Sequence, residues 1–237
     1  MDGGGKMLKI TNLKKGYGSK QILNGVELHV KKGEILGFVG SNGAGKTTTL
    51  NSITGILEPD EGTITINGII KSGSTKYKKQ FFFIPDTIHV FKNISGFDWI
   101  RFVMKLYDND QTERMKHFIT QFDMEEAMYK PMGTYSYGML HKMMLIVGFT
   151  INPPIIIMDE PLNGLDPKSV LTFKKAIKLY IEEGGTVFFS THLLDIAEKI
   201  CNTVAILKDG KIILHEEIDK VVGENTLETI FMEKQNV

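Results

Sequence analysis

The stretch GFVGSNGAGKTTTL at residues 37–50 constrains the fold most, because it places several glycines and one lysine between an apolar stretch and a helix-compatible one. Gly40, Gly45, Lys46 and Thr47 match the spacing G-x-x-x-x-G-K-[ST]. Glycines let the backbone approach phosphate oxygens, and a helix that begins here adds the positive end of its dipole. The pattern therefore predicts a phosphate-binding loop, against the alternative of a glycine-rich turn with a solvated lysine.

Two residues of this loop have distinct expected roles. Lys46 is expected to bridge the β- and γ-phosphates of a nucleotide, and the Thr47 hydroxyl to ligate Mg²⁺. The residues predicted to bind the nucleotide here are Gly40, Ser41, Asn42, Gly43, Ala44, Gly45, Lys46, Thr47 and Thr48.

A pair of acids, Asp159 and Glu160, ends the apolar run in IIIMDEP. A protein with such a phosphate loop needs an acidic residue at a strand end to hold Mg²⁺, and Asp159 fits that role. Glu160 is placed to polarise an attacking water as a general base. Solvated acids at an ordinary strand boundary are the alternative, and the loop upstream favours the catalytic interpretation.

The composition argues against several classes of protein. Lys plus Arg and Asp plus Glu each number 28, and the resulting zero net charge disfavours a broad nucleic-acid surface. The single cysteine, Cys201, cannot form an internal disulfide and is expected to be a small buried residue. No apolar run approaches the ~18 residues that span a bilayer, and there is no signal-peptide core. We expect a soluble cytoplasmic chain with an added leader at residues 1–6 and Met7 as the native start.

Short β-rich segments alternate with helical patterns along the 237 residues, which is typical of an α/β fold. Continuously apolar segments such as IIIM predict parallel strands covered on both faces. Between residues 86 and 150 the apolar spacing is helical, which predicts a helical insert. The predicted strands are residues 8–12, 26–30, 35–39, 63–66, 81–84, 155–158, 187–190, 204–208 and 211–215, and the predicted helices outside the insert are residues 45–54, 168–183, 193–201 and 224–237.

Six elements follow one another along the chain. They are Tyr17, GSNGAGKTT at residues 40–48, FFFIPD ending at Asp86, YSYGM at residues 135–139, IIIMDEPLNGLDP at residues 155–167 and STH ending at His192. In this order they make nearly the whole chain resemble the nucleotide-binding subunit of an ABC transporter. The resemblance implies a P-loop NTPase (RecA-like) α/β core with an antiparallel β subdomain and a mostly helical ABC-type insert. It assigns residues 1–85 and 151–237 to the ATP-binding core and residues 86–150 to the helical signature subdomain.

The same resemblance implies roles for residues outside the phosphate loop. Tyr17 would stack on adenine, and His192 would hydrogen-bond the γ-phosphate. Ser136 and Gly138 would contact the ATP of a second subunit in a head-to-tail dimer, either homo- or heteromeric. The alternatives are ordinary packing for Tyr17, a polar helix cap for Ser136, and a surface or core position for His192.

Two parts of the chain depart from the family pattern. Asp86 replaces the usual glutamine and is expected to reach Mg²⁺ through water. Tyr137 and Met139 replace the glycine and glutamine of the usual signature. The resulting form YS-x-G-M resembles subunits that serve separate export permeases for peptides, lantibiotics or drugs.

The insert is expected to carry the surface that meets the membrane subunit. Its aromatic residues are nevertheless predicted to face the core, because apolar residues at helical spacing usually face inward. These residues are Phe91, Phe97, Trp99 and Phe102.

The resemblance implies a subunit that binds and hydrolyses ATP with Mg²⁺ and drives a separate integral-membrane permease from the cytoplasmic face, with no nucleic-acid partner. Two other classes remain open: a nucleotide-dependent regulatory module acting on ribosomes or chromosomes, and a P-loop kinase. The single set of motifs and the neutral charge disfavour the first. A kinase would explain the phosphate loop but not the elements from residue 135 to His192.

Overall fold

The computed structural model describes residues 5–223 and 225–235. Residues 1–4 of the expected leader, and residues 224, 236 and 237 of the predicted terminal helix, lie outside the described residues. The strands are β1 (Lys6–Tyr17), β2 (Lys20–Lys31), β3 (Ile35–Gly40), β4 (Glu61–Ile66), β5 (Ile69–Ile70), β6 (Phe81–Ile84), β7 (Ile155–Asp159), β8 (Thr186–Thr191), β9 (Thr203–Lys208) and β10 (Lys211–Glu217). The helices are α1 (Lys46–Thr54), α2 (Thr75–Lys78), α3 (Gly96–Leu106), α4 (Thr112–Gln121), α5 (Tyr137–Ile151), α6 (Pro167–Glu182), α7 (Leu194–Ile200), α8 (Ile218–Val222) and α9 (Leu227–Gln235), with 3₁₀ helices at Ala127–Tyr129 and Met132–Thr134.

A six-stranded sheet in the order β10-β9-β3-β8-β7-β6 forms the centre of the molecule, and only β10 among these strands runs antiparallel to its neighbour. Successive side chains of a strand point to opposite faces. In β7, Ile155 and Ile157 accordingly join the apolar cluster on one face, while Ile156 and Met158 join the cluster on the other. Both faces are covered, which explains the unbroken apolar sequence of this strand and confirms the predicted α/β core.

One face of the central sheet is covered by α1 and by a second, four-stranded antiparallel sheet in the order β2-β1-β4-β5. Leu50 and Ile53 of α1 share an apolar cluster with Leu8 and Ile10 of β1 and with Phe38 of β3. The predicted antiparallel β subdomain is therefore confirmed. The sequence did not predict β5, which has two residues.

The insert between β6 and β7 consists of α3, α4, α5 and the two 3₁₀ helices. In this described segment the only β pairing is an isolated bridge between Ser95 and Pro131. Ser95 caps α3 by accepting a hydrogen bond from the Asp98 N–H at 3.1 Å. A mostly helical insert was predicted and is confirmed.

The prediction that the insert's aromatic residues face the core is wrong for Phe91 and Phe102, which are 62% and 50% exposed. Ile100, Val103 and Met104 form the buried face of α3 at helical spacing. Phe102 lies on the opposite side of the helix, and Phe91 precedes the helix altogether. Phe97 and Trp99 are only partly buried.

The remaining helix predictions are confirmed within one or two residues for α1, α6 and α7. Gly184, with φ +89°, follows the end of α6 in the left-handed conformation that often ends a helix. Cys201 is buried, as expected. Across residues 5–223 and 225–235, none of the helices has the length and apolarity that crossing a bilayer requires.

Candidate functional site

The site is built where β3, β8 and β7 end side by side. β3 and β8 are parallel neighbours with Val39 opposite Thr191, and β7 and β8 pair Asp159 with Ser190. Because the carboxyl ends of parallel strands meet at one edge, segments far apart in sequence come together there. This edge holds the phosphate loop after β3, the acidic pair at the end of β7 and His192 after β8.

The phosphate loop uses glycine where other residues would be strained or would clash. Gly43 and Gly45 have φ of +82° and +109°, in the region that favours glycine. A Cβ on Gly40 would lie 2.7 Å from the Leu207 carbonyl oxygen, so this position also requires glycine. Helix α1 begins immediately afterwards at Lys46, which brings its unpaired N–H groups and dipole to the loop.

Lys46 is a nearly buried cation, with a relative exposure of 8%. Its Nζ donates to the Gly40 carbonyl oxygen at 2.7 Å and lies 4.0 Å from Oε1 of Glu160. Burial lowers the pKa of Lys46, while the negative charges of Glu160 and Asp159 act to raise it. A phosphate group would supply further negative charge to this buried ammonium group.

Thr47 and Asp159 are in direct contact across 112 positions of sequence. The Thr47 Oγ1 donates to Oδ2 of Asp159 at 2.8 Å, and the Ser190 hydroxyl donates to Oδ1. A hydroxyl and a carboxylate are hard oxygen ligands, so this donor set fits Mg²⁺. The sequence interpretation missed Ser190, although its hydroxyl directly precedes the Thr-His pair at the end of an apolar strand.

Contacts with Ser190 and His192 hold Glu160 in place. Its φ of +49° is uncommon for a residue other than glycine. Its N–H lies 3.2 Å from the Ser190 carbonyl oxygen and 3.1 Å from the Ser190 hydroxyl. Its Oε2 lies 2.9 Å from Nδ1 of His192. A carboxylate oxygen accepts hydrogen bonds, so this contact is a hydrogen bond in the tautomer that carries a proton on Nδ1 of His192.

A cavity of about 380 Å³ opens over these groups. Its lining residues are Tyr17, Lys20, Ile22, Ser41, Asn42, Gly43, Gly45, Lys46, Thr47, Thr48, Asp86, Asp159 and Glu160. Tyr17 is 53% exposed, with the Lys15 ammonium 5.8 Å from its ring centre, so one exposed aromatic ring borders this cavity. Gly40 and Ala44 are buried and do not line this cavity, which is formed by other described residues.

Ser136 and Gly138 do not line the cavity formed by the described residues of the same chain. The Ser136 hydroxyl caps α5 by accepting a hydrogen bond from the Met139 N–H at 3.3 Å. A Cβ on Gly138 would lie 2.5 Å from the Gly164 carbonyl oxygen. The start of α5 therefore packs directly on the loop after β7.

Asp86 lines the cavity and is tied to that same region. Its Oδ1 accepts a hydrogen bond from Nδ2 of Asn163 at 2.8 Å. The Tyr137 hydroxyl lies 3.2 Å from the Asp86 carbonyl oxygen and 3.4 Å from Oδ1. Asn163 was not singled out from the sequence, because its partner lies 77 positions away.

Known proteins share this arrangement of elements. A family described as ABC transporter matches residues 23–163. The putative ABC transporter ATP-binding protein AlbC of Bacillus subtilis is 35% identical over 214 residues, covering 86% of this chain and 87% of that protein. The lantibiotic transport ATP-binding protein SrtF of Streptococcus pyogenes is 30% identical over 225 residues, covering 95% of this chain and 96% of that protein. A solved ATP-binding subunit of an ABC transporter superposes with a TM-score of 0.92 at 28% identity, covering 97% of this chain and 99% of that chain.

Proposed function

This chain belongs to the ABC transporter family, and we propose that it is the subunit that binds and hydrolyses ATP to drive a separate membrane permease. The observation that carries the proposal is the position of Glu160, held by His192 beside the Thr47–Asp159 contact and the phosphate loop. The Glu160 carboxylate, the Lys46 ammonium group and the oxygen atoms of Thr47 and Asp159 surround one cavity, which supports binding of a nucleotide and activation of water.

Binding of ATP follows from the groups at the loop. The N–H groups at the start of α1 and the Lys46 ammonium bind the phosphates, and Tyr17 offers a ring to adenine. Thr47 and Asp159 would hold Mg²⁺ directly or through water, with Asp86 reaching it through water, and the ion when bound neutralises phosphate charge.

Hydrolysis requires a water activated next to the γ-phosphate. The Glu160 carboxylate accepts a proton from that water, the new P–O bond forms, and the bond to ADP breaks. His192 fixes the direction of the carboxylate through its Nδ1. A hydrogen bond from the same ring to the γ-phosphate would require a proton on Nε2 as well.

A second copy or a related subunit would complete the site. Ser136 and Gly138 stand at the N-terminus of the 15-residue helix α5, outside the cavity of their own chain. A head-to-tail dimer would bring this N-terminus to the ATP of the partner. Residues 1–85 and 151–237 would then act as the ATP-binding core, and residues 86–150 as the signature subdomain.

The exposed aromatic patch of the insert supports the permease as partner. The patch consists of Phe91, Phe97, Trp99, Phe102 and Tyr129. Ring centres are 5.7 Å apart for Phe91 and Trp99, 5.8 Å for Trp99 and Phe102, and 5.5 Å for Phe97 and Tyr129. These contacts join Phe91, Trp99 and Phe102 in one group and Phe97 with Tyr129 in another. Exposed aromatic side chains such as Phe91, Phe102 and Tyr129 are typical of protein-binding sites.

We propose export of a peptide or antibiotic as the transport task. SrtF is named for lantibiotic transport, and a linearmycin resistance ATP-binding protein of Bacillus subtilis is 31% identical over 87% of this chain. Working with a permease places this subunit at the cytoplasmic face of the membrane.

The test is recovery of the tagged chain from gently solubilised membranes of its source cells. We expect a polytopic membrane protein in stoichiometric amount, lost when Phe91 and Phe102 are both changed to Ser. Leu171→Ser is the matched control, because Leu171 is 61% exposed on α6 and lies outside the patch. Recovery of only soluble partners would support a regulatory module, and phosphate transfer that requires an acceptor substrate would support a kinase.

A further inference from the structure

We propose that Asn163 and Tyr137 are positioning residues that hold Asp86, so that the signature helix α5 acts on the Mg²⁺ side of its own ATP site. Asn163 donates to the carboxylate, and the Tyr137 hydroxyl lies nearer to the backbone carbonyl oxygen than to Oδ1. The inference rests on the proposed function and adds two residues to it. It also joins the two departures from the family pattern, since Asp86 and Tyr137 lie in contact.

The contacts of Asp86 leave one carboxylate oxygen unused by the protein. Oδ1 accepts from Asn163 at 2.8 Å, with the Tyr137 hydroxyl 3.4 Å away. None of the described residues donates a hydrogen bond to Oδ2. Asp86 lines the same cavity as Thr47 and Asp159, so Oδ2 is the oxygen left to meet a metal-bound water.

The place of the Tyr137 ring is fixed by its surroundings. A Cβ on Gly164 would lie 2.4 Å from Cδ1 of Tyr137, so the ring occupies space that only glycine leaves open. Gly164 also has φ +74°, which favours glycine there independently. On the helix, His141 is fully buried one turn later, with its ring centre 4.5 Å from that of Tyr137. The hydroxyl is thereby directed to Asp86 although Tyr137 is 48% exposed.

The contact between Tyr137 and Asp86 matters because of where Tyr137 lies in the sequence. Tyr137 stands between Ser136 and Gly138, which we propose contact the ATP of the partner subunit. A shift of the α5 N-terminus towards that ATP would therefore move the group that holds Asp86. The contact provides a physical connection between the two ATP sites of a dimer.

The experiment measures by calorimetry the Mg²⁺ concentration at which ATP binding is half-saturated. It uses the Glu160→Gln protein as the parent, so that ATP is not hydrolysed during the titration. Tyr137→Phe and Asn163→Leu remove the two hydrogen-bond donors and keep the size of the side chains. Loss of one such hydrogen bond should raise the Mg²⁺ concentration that half-saturates ATP binding by about three- to tenfold. ATP binding in the presence of a metal chelator should stay within about twofold of the parent, because the phosphate loop is unchanged.

Tyr107→Phe is the matched control. The Tyr107 hydroxyl donates to the Phe81 carbonyl oxygen at 2.6 Å, so the variant loses a tyrosine hydrogen bond in the same insert without touching Asp86. Its Mg²⁺ requirement should equal that of the parent. In the Asp86→Ala background, Tyr137→Phe should add no further change, because the group it positions is absent.

Three outcomes separate this inference from the proposed function. A parent protein that shows no Mg²⁺-dependent ATP binding would contradict the proposed function itself. A parent that binds, with Tyr137→Phe unchanged in its Mg²⁺ requirement, would overturn the positioning role alone. An equal effect of Tyr137→Phe with and without Asp86 would likewise overturn it, since the tyrosine would then act elsewhere.

Discussion

Nδ1 of His192 lies 2.9 Å from Oε2 of Glu160, across a gap of 32 positions in sequence. The two residues directly follow the neighbouring strands β7 and β8. The Glu160 side chain is 14% exposed, and that of His192 is 54% exposed. A half-exposed imidazole therefore holds a largely buried carboxylate in place. This contact gives the Glu160 carboxylate a defined direction.

His192→Ala should slow phosphate release by about 100-fold or more while ATP binding changes little, because the base loses its support but the phosphate loop is intact. Steady-state phosphate release and ATP titration measure the two effects. His89→Ala, an exposed histidine elsewhere, is the control. Equal losses of rate and of ATP affinity would show that His192 supports the loop instead of the base.

Asp159→Asn should raise the Mg²⁺ concentration needed for ATP binding by about 10- to 100-fold, because it removes the charge beside Thr47 and keeps the shape. Calorimetric titration at varied Mg²⁺ measures it. Asp195→Asn is the control, since Asp195 is 67% exposed on α7. An unchanged Mg²⁺ requirement for Asp159→Asn would place the metal ligands elsewhere.

Gly138→Ala should lower the free energy of unfolding by about 1 kcal/mol or more and abolish ATP-driven dimer formation. The added Cβ would lie 2.5 Å from the Gly164 carbonyl oxygen, so backbone must move. Alanine within a helix would otherwise stabilise by about 0.5–1 kcal/mol. Gly73→Ala is the control, because a Cβ added at Gly73 would meet no atom within 4 Å. Its free energy of unfolding in urea should stay within about 0.5 kcal/mol of the parent's.

A pair of histidine rings, one on each sheet, lies in contact away from the site. His29 on β2 and His215 on β10 have ring centres 4.6 Å apart. Burial lowers the pKa of both from the ordinary value of 6.5, and His29 lowers that of His215 further. The charged groups around them are Lys6, Lys31, Glu34 and Glu216, the lysines lowering and the glutamates raising these pKa values.

Stability should therefore fall as the pH drops below about 6.5, because the unfolded chain then binds protons that the folded chain resists. The loss continues until the pH reaches the lowered pKa values. Urea unfolding at about pH 7.5 and about pH 5.5 measures the loss, which His215→Leu should reduce. The exposed His89→Leu variant should keep the parent's pH dependence. A His215→Leu protein with the parent's full loss would assign the effect to other groups.

Local patterns of sequence predicted most of the core and the phosphate loop. The loop is contiguous, so its spacing alone identified Gly40, Gly45, Lys46 and Thr47. The continuously apolar segments likewise predicted strands that are buried on both faces. The two-residue strand β5 and the short helices α2 and α8 were not predicted, because so few residues carry no periodicity.

Contacts between distant segments could not be predicted in this way. Ser190 and Asn163 acquire partners only when strands β7 and β8 pair and the loop after β7 meets Asp86. The prediction that Phe102 faces the core was wrong for a related reason. A helix with several apolar residues has more than one face that could be buried. Tertiary packing selected the face with Ile100 and Val103.

Glu160→Gln tests the central claim most directly. Phosphate release from ATP without any acceptor is compared with the molar mass of the protein in ATP and Mg²⁺ by light scattering. The account predicts that release falls by about 100-fold or more while the ATP-bound protein persists as a dimer, with the exposed Glu125→Gln variant behaving as the parent. Unchanged phosphate release in Glu160→Gln would contradict the assignment of the base and the mechanism built on it.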